Sequence, residues 1–219
     1  MIWGLIAARL GAETKKRLEP ALVPAMRREF ARAMLTDVIA ALLHSEQLAG
    51  VSVLAGDHEA ADLAMRLGAS PLPDCGEGLN PAVNQGMLFA QAQGATGVVI
   101  AMGDLPILTS SDIDRLVLAL PHRGAAAAPS RDGTGTNLLA LRPCGLLPTH
   151  FGARSLAAHH EEARSAQVTW REIEPGGSAL DVDTPEDLQE LQRQLKVSAA
   201  PALATRKALQ ANGFGAPRP

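Results

Sequence analysis

The sequence predicts a single α/β domain built on a mostly parallel sheet with helices on both faces, and three observations predict it. Short apolar runs alternate along the chain with longer amphipathic stretches, as strand–helix–strand units require. The run Val98 to Met102 is apolar throughout, which suits a central strand buried on both faces. The chain has 219 residues, 47% of them hydrophobic and 20% charged. That is enough for one aliphatic core and too little for two ordinary domains.

Taken in order, Ile2 to Ala8 reads as the first strand. Pro24 then sits at the start of a helix over about residues 24–44, where Met26, Phe30, Met34, Ile39 and Leu42 share a face. Val51 to Leu54 is a second strand, followed by a helical segment from about Glu59 to Leu67. The Val98–Met102 strand stops abruptly at Gly103-Asp104. Thr109-Ser110-Ser111-Asp112 offers hydroxyls and a carboxylate to the start of a helix carrying Leu116, Val117 and Leu120. Another helix begins near Ser155. Thr184-Pro185-Glu186-Asp187 combines a capping Thr, a Pro at the first helical position and acids in the first turn. After Lys196 the composition turns to Ala, Pro and Gly. The expected organisation is therefore a domain over 1–196 and a flexible tail over 197–219, with a helical turn or two around Thr205 to Gln210.

Composition excludes several classes of function. A net charge of −3 and an isoelectric point near 6.1 give no global attraction to nucleic acid or acidic membranes. Four Phe, two Trp and no Tyr leave no stacking platform for single strands. Cys75 and Cys144 stand far apart without a CxxC partner, arguing against structural zinc and a disulfide framework. No export leader opens the chain, and no run of about 18 apolar residues occurs. The expectation is a cytoplasmic protein with neither nucleic acid nor membrane as partner. Locally the charge is uneven: seven basic residues face three acidic ones between Arg9 and Arg32. That stretch is a candidate anion site.

Five constellations could carry chemistry. Arg9, Lys15, Lys16 and Arg17 follow the first strand, where open α/β sheets keep their ligand crevice. They could hold a triphosphate or form a solvated basic loop, and no Walker motif is present. Asp104 stands at the tip of a buried strand, where a lone charge is costly and wants a metal or a cation, unless it only serves the turn before Pro106. In Asp181-Val182-Asp183, extended backbone would point both carboxylates the same way. With a third acid they would make an oxygen-rich magnesium site, although Asp183 could instead cap the last helix. Arg131-Asp-Gly-Thr-Gly-Thr136-Asn137 offers backbone N–H groups and hydroxyls to an anion, or a plain turn. Phe151-Gly152-Ala-Arg-Ser155 opens a helix whose N–H groups suit a phosphate. The adjacent His159 and His160 diverge by about 100° on that helix and read as surface or orienting residues. No Ser-His-Asp or Cys-His arrangement favours covalent catalysis.

In this order Thr14-Lys-Lys-Arg-Leu18, Gly78-Leu-Asn80, Gly103-Asp-Leu-Pro106, Gly133-Thr-Gly-Thr-Asn137, Phe151-Gly-x-x-Ser155 and Asp181-Val-Asp-Thr-Pro185 resemble the 2-phospho-L-lactate guanylyltransferase family of coenzyme F-420 biosynthesis. Bacterial members of that family use phosphoenolpyruvate or 3-phosphoglycerate. The resemblance runs from about Trp3 to Leu191. It implies the three-layer Rossmann-like nucleotidyltransferase fold with a mostly parallel mixed sheet, and transfer of GMP from GTP to a phosphorylated three-carbon acid. By the same resemblance Asp104, Asp181 and Asp183 are magnesium ligands, and Thr136, Gly152 and Ser155 bind the acceptor. Arg9, Lys15, Gly78 and Asn80 bind the nucleotide, and Lys15, Arg17 and Asp104 act in catalysis. The sequence departs at Ala7-Ala8-Arg9, where the family has Pro-Val-Lys, so a planar fork replaces a compact ammonium. A nucleotidyltransferase for molybdopterin or a sugar phosphate, and a non-catalytic nucleotide-binding module, are the alternatives. The oligomeric state, a homodimer included, stays open.

Overall fold

The computed structural model describes residues 1–11, 14–74, 78–197 and 201–213. In chain order the elements are β1 (Ile2–Ala8), α1 (Pro24–Leu43), β2 (Leu48–Ala55), α2 (His58–Leu67), β3 (Ser70–Pro73), α3 (Leu79–Ala92) and β4 (Gly97–Met102). There follow α4 (Ser110–Ala119), β5 (Gly124–Pro129), β6 (Thr136–Arg142), α5 (Ser155–Ser165), β7 (Thr169–Glu172), α6 (Pro185–Val197) and α7 (Leu203–Ala211). The strands form one sheet in the order β3-β2-β1-β4-β6-β5-β7. Every pairing is parallel except those of β6, which runs antiparallel to both β4 and β5. This is the mixed, mostly parallel sheet expected. The chain winds outward one way from β1 and the other way from β4, so the crevice lies past the carboxyl ends of those two strands.

Strand alternation divides the core. Ile2 and Ile6 of β1, with Val99 and Ala101 of β4, face a cluster shared with α1, α2 and α4. Leu5, Val98 and Ile100 face the other cluster, with Ala82, Val83 and Met87 of α3 and Ala163 of α5. Two faces covered by helices make the three layers. A third cluster lies outside α1 and joins Phe30 and Met34 to Leu188 and Leu191 of α6 and Leu209 of α7. The apolar residues expected on one face of α1 therefore serve two neighbours: Phe30 and Met34 face outward, Ile39 and Leu42 face the sheet.

Where composition suggested a tail after residue 196, residues 203–211 form α7. Asp37 of α1 accepts hydrogen bonds from the free N–H groups of Ala204 and Thr205 in its first turn, at 3.0 and 2.8 Å. Leu209 and Ala208 are buried beneath it. Phe214 lies outside the described residues.

Candidate active site

Local capping chemistry places the site loops. Asp57 caps α2 by accepting from Ala60 N at 2.9 Å, and its other oxygen accepts from Leu10 N at 2.6 Å. The start of the basic loop is thus tied to a neighbouring helix. At α6 the cap is Thr184, whose hydroxyl accepts from Asp187 N while Asp187 accepts from Thr184 N. Asp183 is therefore spared capping duty, and its carboxylate turns to the crevice. Val182, between the two acids, is buried in the third cluster, and its N–H donates to the Asp104 carbonyl at 3.2 Å. Asp181 and Asp183 fall on the same side, as extended backbone requires, although the segment joins no sheet.

A cavity of about 850 Å³ opens past β4, and Arg17, Asp104, Asp181 and Asp183 line it together with Arg131, Asp132, Thr136, Gly152, Arg154 and Ser155. Two smaller cavities of about 240 Å³ adjoin it: Arg9, Lys15, Asp104 and Asp183 line one, Arg9, Asp74 and Gly78 the other. Ten of the eleven residues expected in the site thus line contiguous space. The eleventh, Asn80, uses its amide elsewhere: it donates to the Phe151 carbonyl at 3.1 Å and accepts from Phe151 N at 2.8 Å. It anchors the loop before α5.

Electrostatics concentrate on Lys15. Its ammonium donates to Asp104 at 2.5 Å and to Asp183 at 2.7 Å, and Arg17 also pairs with Asp183. Burial works to lower the Lys15 pKa, but Asp104 and Asp183 outweigh it and hold the ammonium above its ordinary range. Asp183 is driven below the usual carboxylate range: burial opposes this, and Lys15 and Arg17 overcome it. Asp181 goes the other way, raised first by burial and further by the charges of Asp104 and Asp183, with Asn137 resisting by donating to it at 3.2 Å.

Asp104 keeps one oxygen, Oδ1, buried without a partner. That orphan atom and the raised Asp181 mark a surplus of negative charge on hard oxygen donors, the chemistry that suits magnesium. With Lys15 standing between Asp104 and Asp183, no three metal-binding side chains converge on one point among the described residues.

The loop before β6 offers fewer amides than its glycines suggest. The N–H groups of Gly133, Thr134, Gly135 and Thr136 are bonded within the protein, to Ser130 O, Asp132, Ser130 Oγ and Ser155 Oγ. The glycine-interrupted loop therefore presents the Thr136 hydroxyl to the cavity, not its amides. The first turn of α5, from Ser155, has amides without intrahelical partners, and of these the Leu156 amide donates to the Thr134 carbonyl at 3.1 Å. Gly152 has φ +134°, a conformation that disfavours any side chain although a Cβ would meet nothing.

Of the paired histidines, His160 stacks on Trp170, whereas His159 is 1% exposed and bonded on both ring nitrogens. Of the two readings, surface or orienting, His159 loses the first: α5 turns it inward, against Thr136. Of the remaining basic residues, Arg27 is buried on α1 and donates to Lys16 O at 3.4 Å, and Arg28 pairs with Glu59. Arg131, which also lines the large cavity, pairs with Asp187 at 2.9 Å.

Solved nucleotidyltransferases share this fold. A structure from Desulfovibrio desulfuricans G20, assigned as a nucleotide-diphospho-sugar transferase, superposes with a TM-score of 0.77 at 20% identity and covers 97% of each chain. A CMP:2-keto-3-deoxy-manno-octonic acid synthetase complexed with CTP gives 0.58 at 16% identity, over 90% of this chain and 98% of that one. These likenesses establish the nucleotidyltransferase fold. Residues 4–195 match the family described as "Guanylyl transferase CofC like", and the chain belongs to that family. It is 41% identical to a phosphoenolpyruvate guanylyltransferase of Sphaerobacter thermophilus, over 85% of this chain and 90% of that protein. It is 35% identical to a 3-phospho-D-glycerate guanylyltransferase of Phenylobacterium zucineum, over 88% and 90%.

Proposed function

We propose that this chain is a magnesium-dependent guanylyltransferase that moves GMP from GTP to the phosphate of a small phosphorylated three-carbon acid, in the cytoplasmic synthesis of coenzyme F-420. The observation that carries this reading is the cavity itself, in which cations and carboxylates share one continuous space with the small residues Thr136, Gly152 and Ser155. Strong cations suit a triphosphate, and short donors let a compact phosphorylated acid approach closely.

An acceptor phosphate oxygen attacks the α-phosphorus of GTP in line. A new P–O bond forms, the bond to the β-phosphate bridging oxygen breaks, and pyrophosphate leaves with that electron pair. A phosphate dianion is already the nucleophile, so no side chain need remove a proton. Thr136 and Ser155, at the start of α5, hold the acceptor. Lys15 and Arg17 neutralise the triphosphate and the charge that builds on pyrophosphate. Asp104 and Asp181, with the unpartnered Asp104 oxygen and the raised Asp181 carboxyl, would hold magnesium, while Asp183 keeps Lys15 and Arg17 in place. The metal would supply charge neutralisation and orientation of phosphate oxygens.

The test is pyrophosphate release by purified protein with GTP and magnesium, on adding phosphoenolpyruvate, 3-phosphoglycerate or 2-phospholactate singly. Release that requires one of these acids and exceeds that with ATP or CTP is expected. Release independent of acid, or preference for another nucleotide, would overturn the reading.

A further inference from the structure

The hydrogen bonds behind Thr136 and Ser155 fix where their protons point. His150 N donates to His159 Nε2 at 2.8 Å. A backbone N–H can only donate, so Nε2 carries the lone pair and the single proton of the neutral ring resides on Nδ1. Nδ1 lies 3.1 Å from Thr136 Oγ1, so Nδ1–H donates and the Thr136 oxygen accepts. The Thr136 hydroxyl proton is therefore directed away from the ring. The same logic holds next door: Thr136 N donates to Ser155 Oγ at 2.9 Å, leaving the Ser155 proton to point elsewhere. Thr136 and Ser155 are themselves 3% and 2% exposed and both line the large cavity. Both hydroxyl protons are thereby left free for donation into that cavity, a polarity that fits an anionic oxygen.

We propose that His159 is a positioning residue for the acceptor: through Nδ1–H it sets the direction of the Thr136 hydroxyl proton and so gives the Thr136–Ser155 pair its anion-donating polarity. The inference rests on the acceptor placement given above. The surroundings hold the ring in this one state. Phe151 meets it edge-on at 4.9 Å, and Asn80 grips the Phe151 backbone from α3. Burial, and then the neighbouring His150, pull the His159 pKa down to about 4, so the neutral ring prevails near pH 7.

Two variants separate positioning from mere support. His159→Asn puts an amide N–H near Nδ1 and keeps a donor for Thr136, while losing the acceptor for His150 N. His159→Gln puts an amide oxygen near Nε2 and keeps that acceptor, while losing the Thr136 donor. With similar thermal stability in both, the Gln variant is expected to raise the KM for the acid about tenfold or more, the worth of a donor to a charged oxygen. Its KM for GTP and its kcat should stay within about threefold. The Asn variant should keep the acid KM within about threefold of the parent. Equal losses in both variants, or an equal rise in the KM for GTP, would overturn the proposal. Nitrogen-15 NMR of histidine-labelled parent protein tests the tautomer without any variant: a protonated Nδ1 and bare Nε2 at His159 are expected, and the opposite assignment overturns it. A parent protein that uses none of the acids would refute the function, a result distinguishable from a wrong tautomer.

Discussion

Replacing Lys15 by Met tests how the site balances its charge. The ammonium is about one-tenth exposed, and it is bonded to Asp104 at 2.5 Å and Asp183 at 2.7 Å, each about one-quarter exposed. Removing one member of a buried ion cluster costs ~3–5 kcal/mol, because the surviving charges lose their partner and not their burial. Partial exposure of both acids and the remaining Arg17 pair on Asp183 reduce this to about 2–3 kcal/mol here. For a chain of this size that is a fall of roughly 4–12 °C in melting temperature. Magnesium should return much of it, since a divalent cation can take the place the ammonium leaves between two carboxylates. Calorimetry of parent and variant, each with EDTA and with millimolar magnesium, reads both effects. The variant should gain more from magnesium than the parent. A variant as stable as the parent in EDTA would refute the electrostatic argument, and equal gains from magnesium would refute the entry of a cation between Asp104 and Asp183 in place of the ammonium.

Other outcomes follow from single contacts. Asp104→Asn, nearly isosteric, should lower magnesium-dependent turnover at least ~100-fold, about 2.7 kcal/mol, with the fold kept, as circular dichroism and steady-state rates would read. Ser155→Ala should cost roughly 10-fold or more in efficiency toward the acid and leave GTP binding by calorimetry unchanged, and equal weakening of both would contradict the assignment of Ser155 to the acceptor. His159 gives a pH signature: its folded pKa of about 4 lies below the ordinary 6.5, so the unfolded chain binds the proton more readily between those values. Its contribution is complete above about pH 6.5 and is lost as pH falls toward 4, on the order of 3 kcal/mol. Denaturant midpoints across that window should show this slope in the parent and not in His159→Asn. Deleting residues 199–219 removes buried Leu209 and the Asp37 bonds to α7, and should lower the melting temperature by on the order of 5–10 °C. An unchanged value would mean that α7 adds nothing to the core.

Much of the fold was legible where one local rule acts alone. Ile2–Ala8 and Gly97–Met102 are apolar runs buried on both faces, and α4 and α6 begin at reciprocal caps written in four residues each. What was missed had local signals that tertiary structure overrides. The four alanines of β5 have helical propensity, yet they pair with β6 on one side and β7 on the other and bury on both faces. Pro71 and Pro73 disguise β3, which is tolerated at the sheet edge. The apolar stripe of α7, Leu209 above all, is too short to announce docking, and its partner Asp37 lies far away in sequence. In the site, residue types at strand ends located the carboxylates and cations. Sequence could not tell that Asn80 would spend its amide on Phe151, or that the loop after Arg131 would consume its own amides. Sequence left both adjacent histidines as surface or orienting residues, because which one turns inward depends on how α5 rolls.

The central claim is that an acceptor phosphate held by Thr136 and Ser155 displaces pyrophosphate from GTP held by Lys15 and Arg17. Phosphoenolpyruvate, 3-phosphoglycerate and 2-phospholactate, each carrying oxygen-18 on its non-bridging phosphate oxygens, can be incubated with protein, GTP and magnesium, and the products weighed by mass spectrometry. The account predicts a product of GMP joined to one of the acids that retains all of the label, with unlabelled pyrophosphate formed in equal amount. Labelled pyrophosphate, free GMP without any joined product, or no dependence on the acids would contradict it.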